Sequence, residues 1–311
     1  MTGRSRLSET RRAIVLDCDP GADDALAILL ALASPEIEVR AITVAGGNAP
    51  LARTLANARG VVALAGAEVP VHAGAARGLR GPFPPGWPGH GADGMAGVRL
   101  PAGGMAAKGG AAEAIRALLR AEAPITLVGI APATNLAMAL ESEPELVRRI
   151  PEIVLMSGAV GPGNATEAAE FNAYADPEAL AALAAAGRPL TLVPLEAGRP
   201  VRATKARIAA LRSAGRGRAL AGACDILAAV AGPRSGAAGM PLFDPLAIAW
   251  LIRPALFRAR PISLAVECGA GPERGRTAIG EATASSHTRL VEPLDPDGFF
   301  ALLGERLARL P

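Results

Sequence analysis

Four aspartates stand within eight residues near the start of the chain: Asp17, Asp19, Asp23 and Asp24. Asp17 and Asp19 are two apart, the spacing that puts side chains on one face of a strand. Asp23 and Asp24 follow Pro20-Gly21, a turn signal, and open an apolar run at 25–33 that has the length of a helix. Acids in a first helical turn are favoured by the helix dipole and the unpaired amides. Capping accounts for one or two of the four. It does not account for an Asp-x-Asp pair at the end of a core-like apolar run. Carboxylates this close repel unless a cation lies among them or some are protonated. A donor set made only of oxygen suits a hard cation, Ca²⁺ or Mg²⁺, over Zn²⁺.

Three more places carry polar residues that can join such a site. Asp244 precedes Pro245 and an apolar run, so it is either a further acid for the cluster or an N-cap with proline at the first helical position. The tract GPGNATEAAEFNAYAD at 161–176 holds Asn164, Glu170, Asn172 and Asp176. Asn and Glu together grip sugar hydroxyls through donor and acceptor pairs. The segment 75–110 is dense in Gly and Pro and contains Trp87, His90 and Asp93. An irregular stretch of that length is usually functional or disordered, and here it is expected to form a partly mobile flap near the site. Two other chemistries lack their signatures. Ser157 has no G-x-S-x-G elbow around it, and the glycines at 46–47 are not followed by GK[ST].

The elements that must position these residues alternate. Residues 13–16 are a short apolar run with the branching of a buried strand, and 39–44 repeat it before Gly46-Gly47-Asn48. Further strand signals lie at 69–72, 125–130, 153–156, 190–193 and 262–266. Helical patterns occupy 51–64, 111–120, 136–140, 177–186, 199–231 and 245–251, with a glycine-rich loop at 232–240. A last helix is opened by Asp295-Pro296, an N-cap followed by proline. This order predicts a single-domain α/β fold over residues 1–311, with a mostly parallel central sheet flanked by helices. Ligands of such sheets gather at the carboxyl ends of the strands, where the aspartates and Asn48 fall.

Half of the 311 residues are hydrophobic, enough for a large core. The net charge of +3 comes from scattered arginines, and aromatic residues are only 3% of the chain, which argues against a nucleic-acid partner despite a pI near 9.1. Cys18, Cys224 and Cys268 are far apart and odd in number, so neither a metal spacing nor a disulfide framework is expected. The polar residues 1–12 carry no signal-peptide core, and a cytoplasmic location is expected. The uncharged stretch 123–140 contains Pro124, Pro132 and Asn135 and reads as a buried strand, loop and helix, not as a membrane span.

Seven motifs then line up in order: DCDPGADDA at 17–25, TVAGGN at 43–48, HGADG at 90–94, APATN at 131–135, LMSGA at 155–159, the spacing from Asn164 to Glu170-Phe171-Asn172, and FDPLA at 243–247. On these the chain resembles the calcium-dependent nucleoside hydrolases of the inosine-uridine preferring type, over most of its length. The resemblance implies that family's fold, with a Rossmann-like core, and hydrolysis of the N-glycosidic bond of ribonucleosides. It also implies Ca²⁺ held by Asp19, Asp24, Asp244 and the carbonyl of Ile130, with Asp19 as the general base and Asp17 supporting the metal site. Asp23 and Asn172 would grip the ribose 2′- and 3′-hydroxyls. Asn164 and Glu170 would hold the 5′-hydroxyl, and Asn48 and Met156 would line the ribose pocket. A homodimer or homotetramer is implied as well.

Two departures stand out. Many relatives carry a His at the position of Phe243, where it is thought to protonate the leaving base. Phe243 cannot, and some purine-preferring relatives carry an aromatic residue nearby. Leaving-group activation would then come from the flap (His90 is a candidate), from solvent, or from an aromatic wall. Ala131 and Ser157-Gly158-Ala159 stand where glycines are common. The missing His leaves a rival, a calcium- and ribose-binding relative with little turnover. A third possibility is a Mg²⁺-dependent phosphatase, since haloacid dehalogenase-like enzymes also carry Asp-x-Asp after a strand. That alternative lacks their small hydroxyl residue after the motif and leaves Asn164 to Asn172 without a purpose.

Overall fold

Strand and helix alternate along a computed structural model that describes residues 11–121, 124–231 and 238–311. Strand β1 (Arg12–Cys18) leads into helix α1 (Ala22–Leu32), then β2 (Ile37–Val44), α2 (Leu51–Leu64) and β3 (Val71–Ala73). After the long segment come α3 (Ala111–Ala121), β4 (Thr126–Gly129), α4 (Thr134–Ser142) and β5 (Ile153–Met156). Two short helices, α5 (Phe171–Ala175) and α6 (Pro177–Ala184), precede β6 (Leu190–Val193) and α7 (Leu195–Gly198). A two-stranded ribbon of β7 (Arg202–Ala203) and β8 (Met240–Pro241) brackets α8 (Lys205–Arg212) and α9 (Arg218–Val230). The chain closes with α10 (Asp244–Ile252), β9 (Ala259–Val266), β10 (Thr277–Glu281), β11 (Thr288–Val291) and α11 (Pro296–Leu307).

Nine strands form one sheet in the order β10-β9-β11-β6-β5-β4-β1-β2-β3. From β3 to β11 every pairing is parallel, and only β9 runs against its neighbours. The fold is therefore a single α/β domain with a large, mostly parallel sheet. Its interior strands TLVG, IVLM and LTLV are buried at every residue, as expected for strands covered by helices on both faces. The strand order reverses between β1 and β4: the chain first builds outward through β2 and β3, then returns to the other side of β1. Helices after the two central strands diverge there and leave a crevice at the carboxyl ends. The acidic run follows β1, and Ile130 follows β4.

Helix α1 is apolar on all sides apart from Asp23 and Asp24, and every residue from Ala22 to Ala31 is buried. It lies between the sheet and helices α2, α9, α10 and α11. The two aspartates are thus the first turn of a helix that has no solvent face.

Several expectations need correction. Residues 199–231 are not continuously helical, because β7 and a break before α9 interrupt them. The tract 161–176 contains α5. Strands β10 and β11 had no clear signal, since β10 is an exposed edge strand of TAIGE, without alternation and with an internal glycine. The stretch 123–140 resolves into β4 and α4 over its described part, and among the described residues no helix is long and apolar enough to cross a membrane. Most of the glycine-rich loop at 232–240 lies outside the described residues. The final helix starts as expected, with Asp295 accepting from the amides of Asp297 and Gly298.

Because α1 carries two acids of the crevice and is buried on every side, its packing sets their position. Leu29→Ala removes a fully buried side chain from it. A loss of about 2–5 kcal/mol is expected, read as a lower urea midpoint with unchanged slope.

Candidate active site

The acids converge at the crevice. Carboxylate oxygens of Asp23, Asp24 and Asp244 lie within 4.8 Å of one another, and all three side chains are buried. Asp244 comes from more than two hundred positions later in the chain. Phe243 stands at the N-cap of α10, and Asp244 is its first helical residue, so the simple N-cap role is not the one it plays. Asp24 does cap α1: its Oδ2 accepts from the amide of Gly21 at 2.9 Å, while Oδ1 accepts from the amide of Asp19 at 3.0 Å. The capping explanation holds for this residue and covers only part of what its position does.

Asp19 leaves β1 toward the same crevice. Its Oδ2 accepts from the amide of Asn48 at 2.7 Å, and its buried Oδ1 has no hydrogen-bond partner among the described residues. A Cβ on Gly47 would overlap Asp19 Oδ2, which is why the turn after β2 needs glycine there. Asn48 spends both amide hydrogens on this cluster, on the carbonyl of Asp19 at 3.2 Å and on Asp24 Oδ2 at 3.1 Å. Asp17 sits behind. Its Oδ1 accepts from Thr43 Oγ1 at 2.6 Å and from Asn135 Nδ2 at 2.8 Å, and its buried Oδ2 has no partner among the described residues.

A second group of the predicted residues is held together at the ends of β4 and β5 and at α5. Asn172 Nδ2 donates to the carbonyls of Ile130 at 3.2 Å and Met156 at 3.0 Å, which places those two sequence-predicted residues beside it. Glu170 caps α5. Its Oε2 accepts from Ser157 Oγ and from the amides of Gly158 and Ala173, while Oε1 accepts from the amide of Asn172 at 2.8 Å. Asn164 lies farther out, is exposed, and accepts the amide of Phe171 at 2.8 Å on its Oδ1. Phe243 packs against Gly198 of α7, where a Cβ would overlap its ring.

Segment 75–110 lies over the acids. The His90 ring is buried, meets Trp87 edge to face at 5.2 Å, and accepts the amide of Ala22 on Nδ1 at 3.3 Å. A Cβ on Gly21 would come within 2.9 Å of both Asn48 Nδ2 and His90 Cε1, so this glycine permits the close approach of the flap. Asn135 Oδ1 accepts the amide of Ala75 at 2.8 Å, and Asp176 Oδ2 accepts that of Leu79 at 2.8 Å. Sequence reasoning gave Asn135 no role at the site and passed over Thr277, which binds both the amide and the carbonyl of Ala159. No local pattern marks a threonine on an edge strand for that task.

Burial governs the electrostatics. It pushes Asp17 up to about 7 against the hydrogen bonds from Thr43 and Asn135, and Asp24 up to about 7 with help from the charge of Asp23. It raises Asp19 and Asp244 well above the usual carboxylate range, with Asp24 adding to the first and Asp23 to the second. The groups acting most strongly on these four are acids, amides and hydroxyls; no lysine or arginine is among them. Burial also lowers His90, which favours the neutral ring that accepts from Ala22. Oxygen-only donors, a buried Asp19 Oδ1 without a partner among the described residues, and carboxyls that shed their protons readily only beside positive charge are what a hard cation completes. The residues present therefore fit one.

A family model described as inosine-uridine preferring nucleoside hydrolase matches residues 14–301. The pyrimidine-specific ribonucleoside hydrolase RihA of Salmonella agona is 37% identical over 304 residues, which cover 94% of this chain and 97% of that protein. RihA of Shewanella woodyi is 36% identical over 305 residues, 95% of this chain and 98% of its own. Among solved structures, a purine-preferring ribonucleoside hydrolase from Gardnerella vaginalis superposes with a TM-score of 0.85 at 29% identity, covering 96% of this chain and 98% of that one. An inosine-guanosine nucleoside hydrolase superposes with a TM-score of 0.89 at 25% identity, covering 97% and 99%.

The shifted carboxyls make stability depend on pH. In the unfolded chain an aspartate ionises near about 3.9. In the folded chain Asp17 and Asp24 hold their protons up to about 7. The native state binds more protons between those values, so its advantage is full at low pH and is lost as pH rises through the folded value. With chelator present, these groups are expected to lower the melting temperature as pH rises from about 4 to about 7. Added Ca²⁺ should raise it most at the higher pH, and an unchanged melting temperature there would count against a cation site.

Proposed function

The chain belongs to the inosine-uridine preferring nucleoside hydrolases, and we propose that it hydrolyses ribonucleosides to ribose and free base with Ca²⁺ at the aspartate crevice. The observation that carries this reading is the meeting of Asp23, Asp24 and Asp244 within 4.8 Å of one another, with the buried Asp19 close enough for its charge to act on Asp244. Asp19, Asp24, Asp244 and the Ile130 carbonyl would hold the ion. When bound, calcium supplies hard positive charge that lets these carboxyls ionise and acidifies a water molecule. Asp19 accepts the proton of the attacking water. Cleavage of a ribosyl C–N bond builds oxocarbenium character on the sugar, and the surrounding carboxylates favour that positive charge.

Amide orientation supports the hydroxyl assignments. Both Nδ2 hydrogens of Asn172 are engaged by Ile130 and Met156, and both of Asn48 by Asp19 and Asp24, so their Oδ1 atoms are the free groups. An acceptor there suits a ribose hydroxyl, alongside Asp23. Asn164 is reversed: its Oδ1 is taken by Phe171, which leaves Nδ2 to donate. Glu170 Oε2 has three donors and Oε1 has one, so Oε1 is the atom with capacity for a further hydroxyl. Asn164 and Glu170 thus form a donor and acceptor pair for the 5′-hydroxyl. Met156 lines the pocket through its carbonyl and sulfur, which both meet Asn172.

Phe243 offers no proton to the departing base, and His90 accepts at Nδ1, which leaves Nε2 as its donor. The relatives' names divide between pyrimidine and purine specificity, so the base is an experimental question. The same reading takes the enzyme to be cytoplasmic and a homodimer or homotetramer. The rival with bound ribose and weak turnover rests on Phe243 alone.

The test is release of ribose from inosine, adenosine, uridine and cytidine, with Ca²⁺ and with chelator. Turnover of at least one is expected with the ion and not with chelator. Asp19→Ala should lower kcat by about a hundredfold or more with smaller effect on KM. Binding of nucleosides by calorimetry without release would favour the rival, and neither binding nor release would remove the proposal.

A further inference from the structure

Residues 158–162 form a strip whose main-chain groups are held one after another by side chains from elsewhere. The Gly158 amide donates to Glu170 Oε2 at 2.9 Å. Thr277 Oγ1 accepts the Ala159 amide at 3.0 Å and donates to the Ala159 carbonyl at 2.8 Å. The amides of Val160 and Gly161 donate to the two oxygens of Glu196 at 2.9 and 3.1 Å. Arg199 donates to the carbonyl of Pro162 and pairs with Glu196 at 3.6 Å. Beyond this strip, among the described residues, the loop's backbone bonds run within it, through Gly163 to Glu167 and Asn164 to Ala169, until Asn164 Oδ1 meets the Phe171 amide.

The grip of Glu196 is not needed to satisfy the backbone. Val160 and Gly161 are exposed, and water can serve exposed amides. A carboxylate that takes two successive amides through separate oxygens does something water does not: it fixes the direction of the chain through charge-assisted bonds. Glu196 itself sits on α7 directly after β6, and Leu195 of that turn accepts no freedom because it is buried and its amide donates to the Gly158 carbonyl at 3.0 Å. The sheet is thereby linked to the loop through one short helix. Gly198 of the same helix abuts Phe243, the residue before Asp244.

We propose that Glu196, supported by Arg199, is a positioning residue that sets the 160–164 loop so that Asn164 reaches the ribose 5′-hydroxyl. This rests on the nucleoside hydrolase reading above and adds to it the part of the chain that holds the 5′ end of the sugar. Glu196 acts through Val160 and Gly161 and touches no reacting atom. Its removal leaves Asn164 tied to the Phe171 amide and to the loop's own bonds but takes away the anchor at 160–161 that sets where the loop stands, so the Asn164 donor shifts, while the acids, Asn172 and Asn48 keep their own supports.

The experiment compares wild type, Glu196→Ala and Arg199→Met on the best nucleoside of the panel and on its 5′-deoxy analogue. For Glu196→Ala, kcat/KM on the 5′-hydroxyl substrate is expected to fall about tenfold or more, with the 5′-deoxy analogue turned over as by wild type. Arg199→Met is expected to show the same selectivity with a smaller loss, and it carries the test if Glu196→Ala does not fold. Equal losses on both substrates, or no loss on either, overturn the inference. If wild type binds nucleosides without cleaving them, the same comparison is read as affinity by calorimetry. Wild type that neither binds nor cleaves overturns the functional reading and this inference with it, an outcome distinct from any behaviour of the variants.

Discussion

The burial of clustered carboxyls, with their mutual repulsion added to the cost of desolvation, is the constraint on which the rest of the structure depends. Five aspartates, Asp17, Asp19, Asp23, Asp24 and Asp244, are brought out of water at one end of the sheet. Each unit by which a carboxyl pKa is raised represents about 1.4 kcal/mol of disfavoured ionisation. Such a cluster is unfavourable as a structural device, because apolar side chains of similar volume would pack there without that cost. It makes physical sense where a cation completes it and where one carboxyl must take a proton.

The fold absorbs this constraint by distributing support. Asp17 is held by Thr43 of β2 and by Asn135 of α4, Asp19 by the amide of Asn48, and Asp24 by two amides and Asn48. Hydrogen-bond donors thus come from β2, the turn after it, α4 and the acids' own loop, while one oxygen each of Asp17 and Asp19 is buried without a partner among the described residues. Helix α1 has no solvent face, so its first turn cannot swing away to relieve the repulsion. The reversal of strand order between β1 and β4 supplies the open crevice into which the acids face. The flap over that crevice is tied to it at both levels, by His90 on the Ala22 amide and by Asn135 on the amide of Ala75.

Asparagines give the crevice its direction. Asn48 and Asn172 are locked with their amide hydrogens turned toward the protein, and Asn164 is locked the other way. Fixed orientation converts a two-sided group into a donor or an acceptor, and this is how a polar wall distinguishes one hydroxyl from another. Asn172 is locked by carbonyls at the ends of β4 and β5, Asn164 by the first amide of α5, and Asn48 by the carbonyl of Asp19 and the carboxylate of Asp24.

The sequence by itself determined the elements whose signal is local. The apolar runs gave the parallel core, the order of motifs gave the family, and the clustering of Asp17, Asp19, Asp23 and Asp24 marked the crevice because all four follow one strand. It also singled out Asn48 at a strand exit and Asn164, Glu170 and Asn172 in one polar tract, while Ile130 and Met156, and the role of each residue, came only through resemblance. Only the tertiary structure decided the rest. Asp244 reads equally well as a helix cap until α10 is seen packed against α1. Strands β10 and β11, Thr277 on the first of them, and the hold of Glu196 on Val160 and Gly161 leave no periodic trace. Their partners are tens to more than a hundred residues away, and a contact made across that distance has no spacing to betray it.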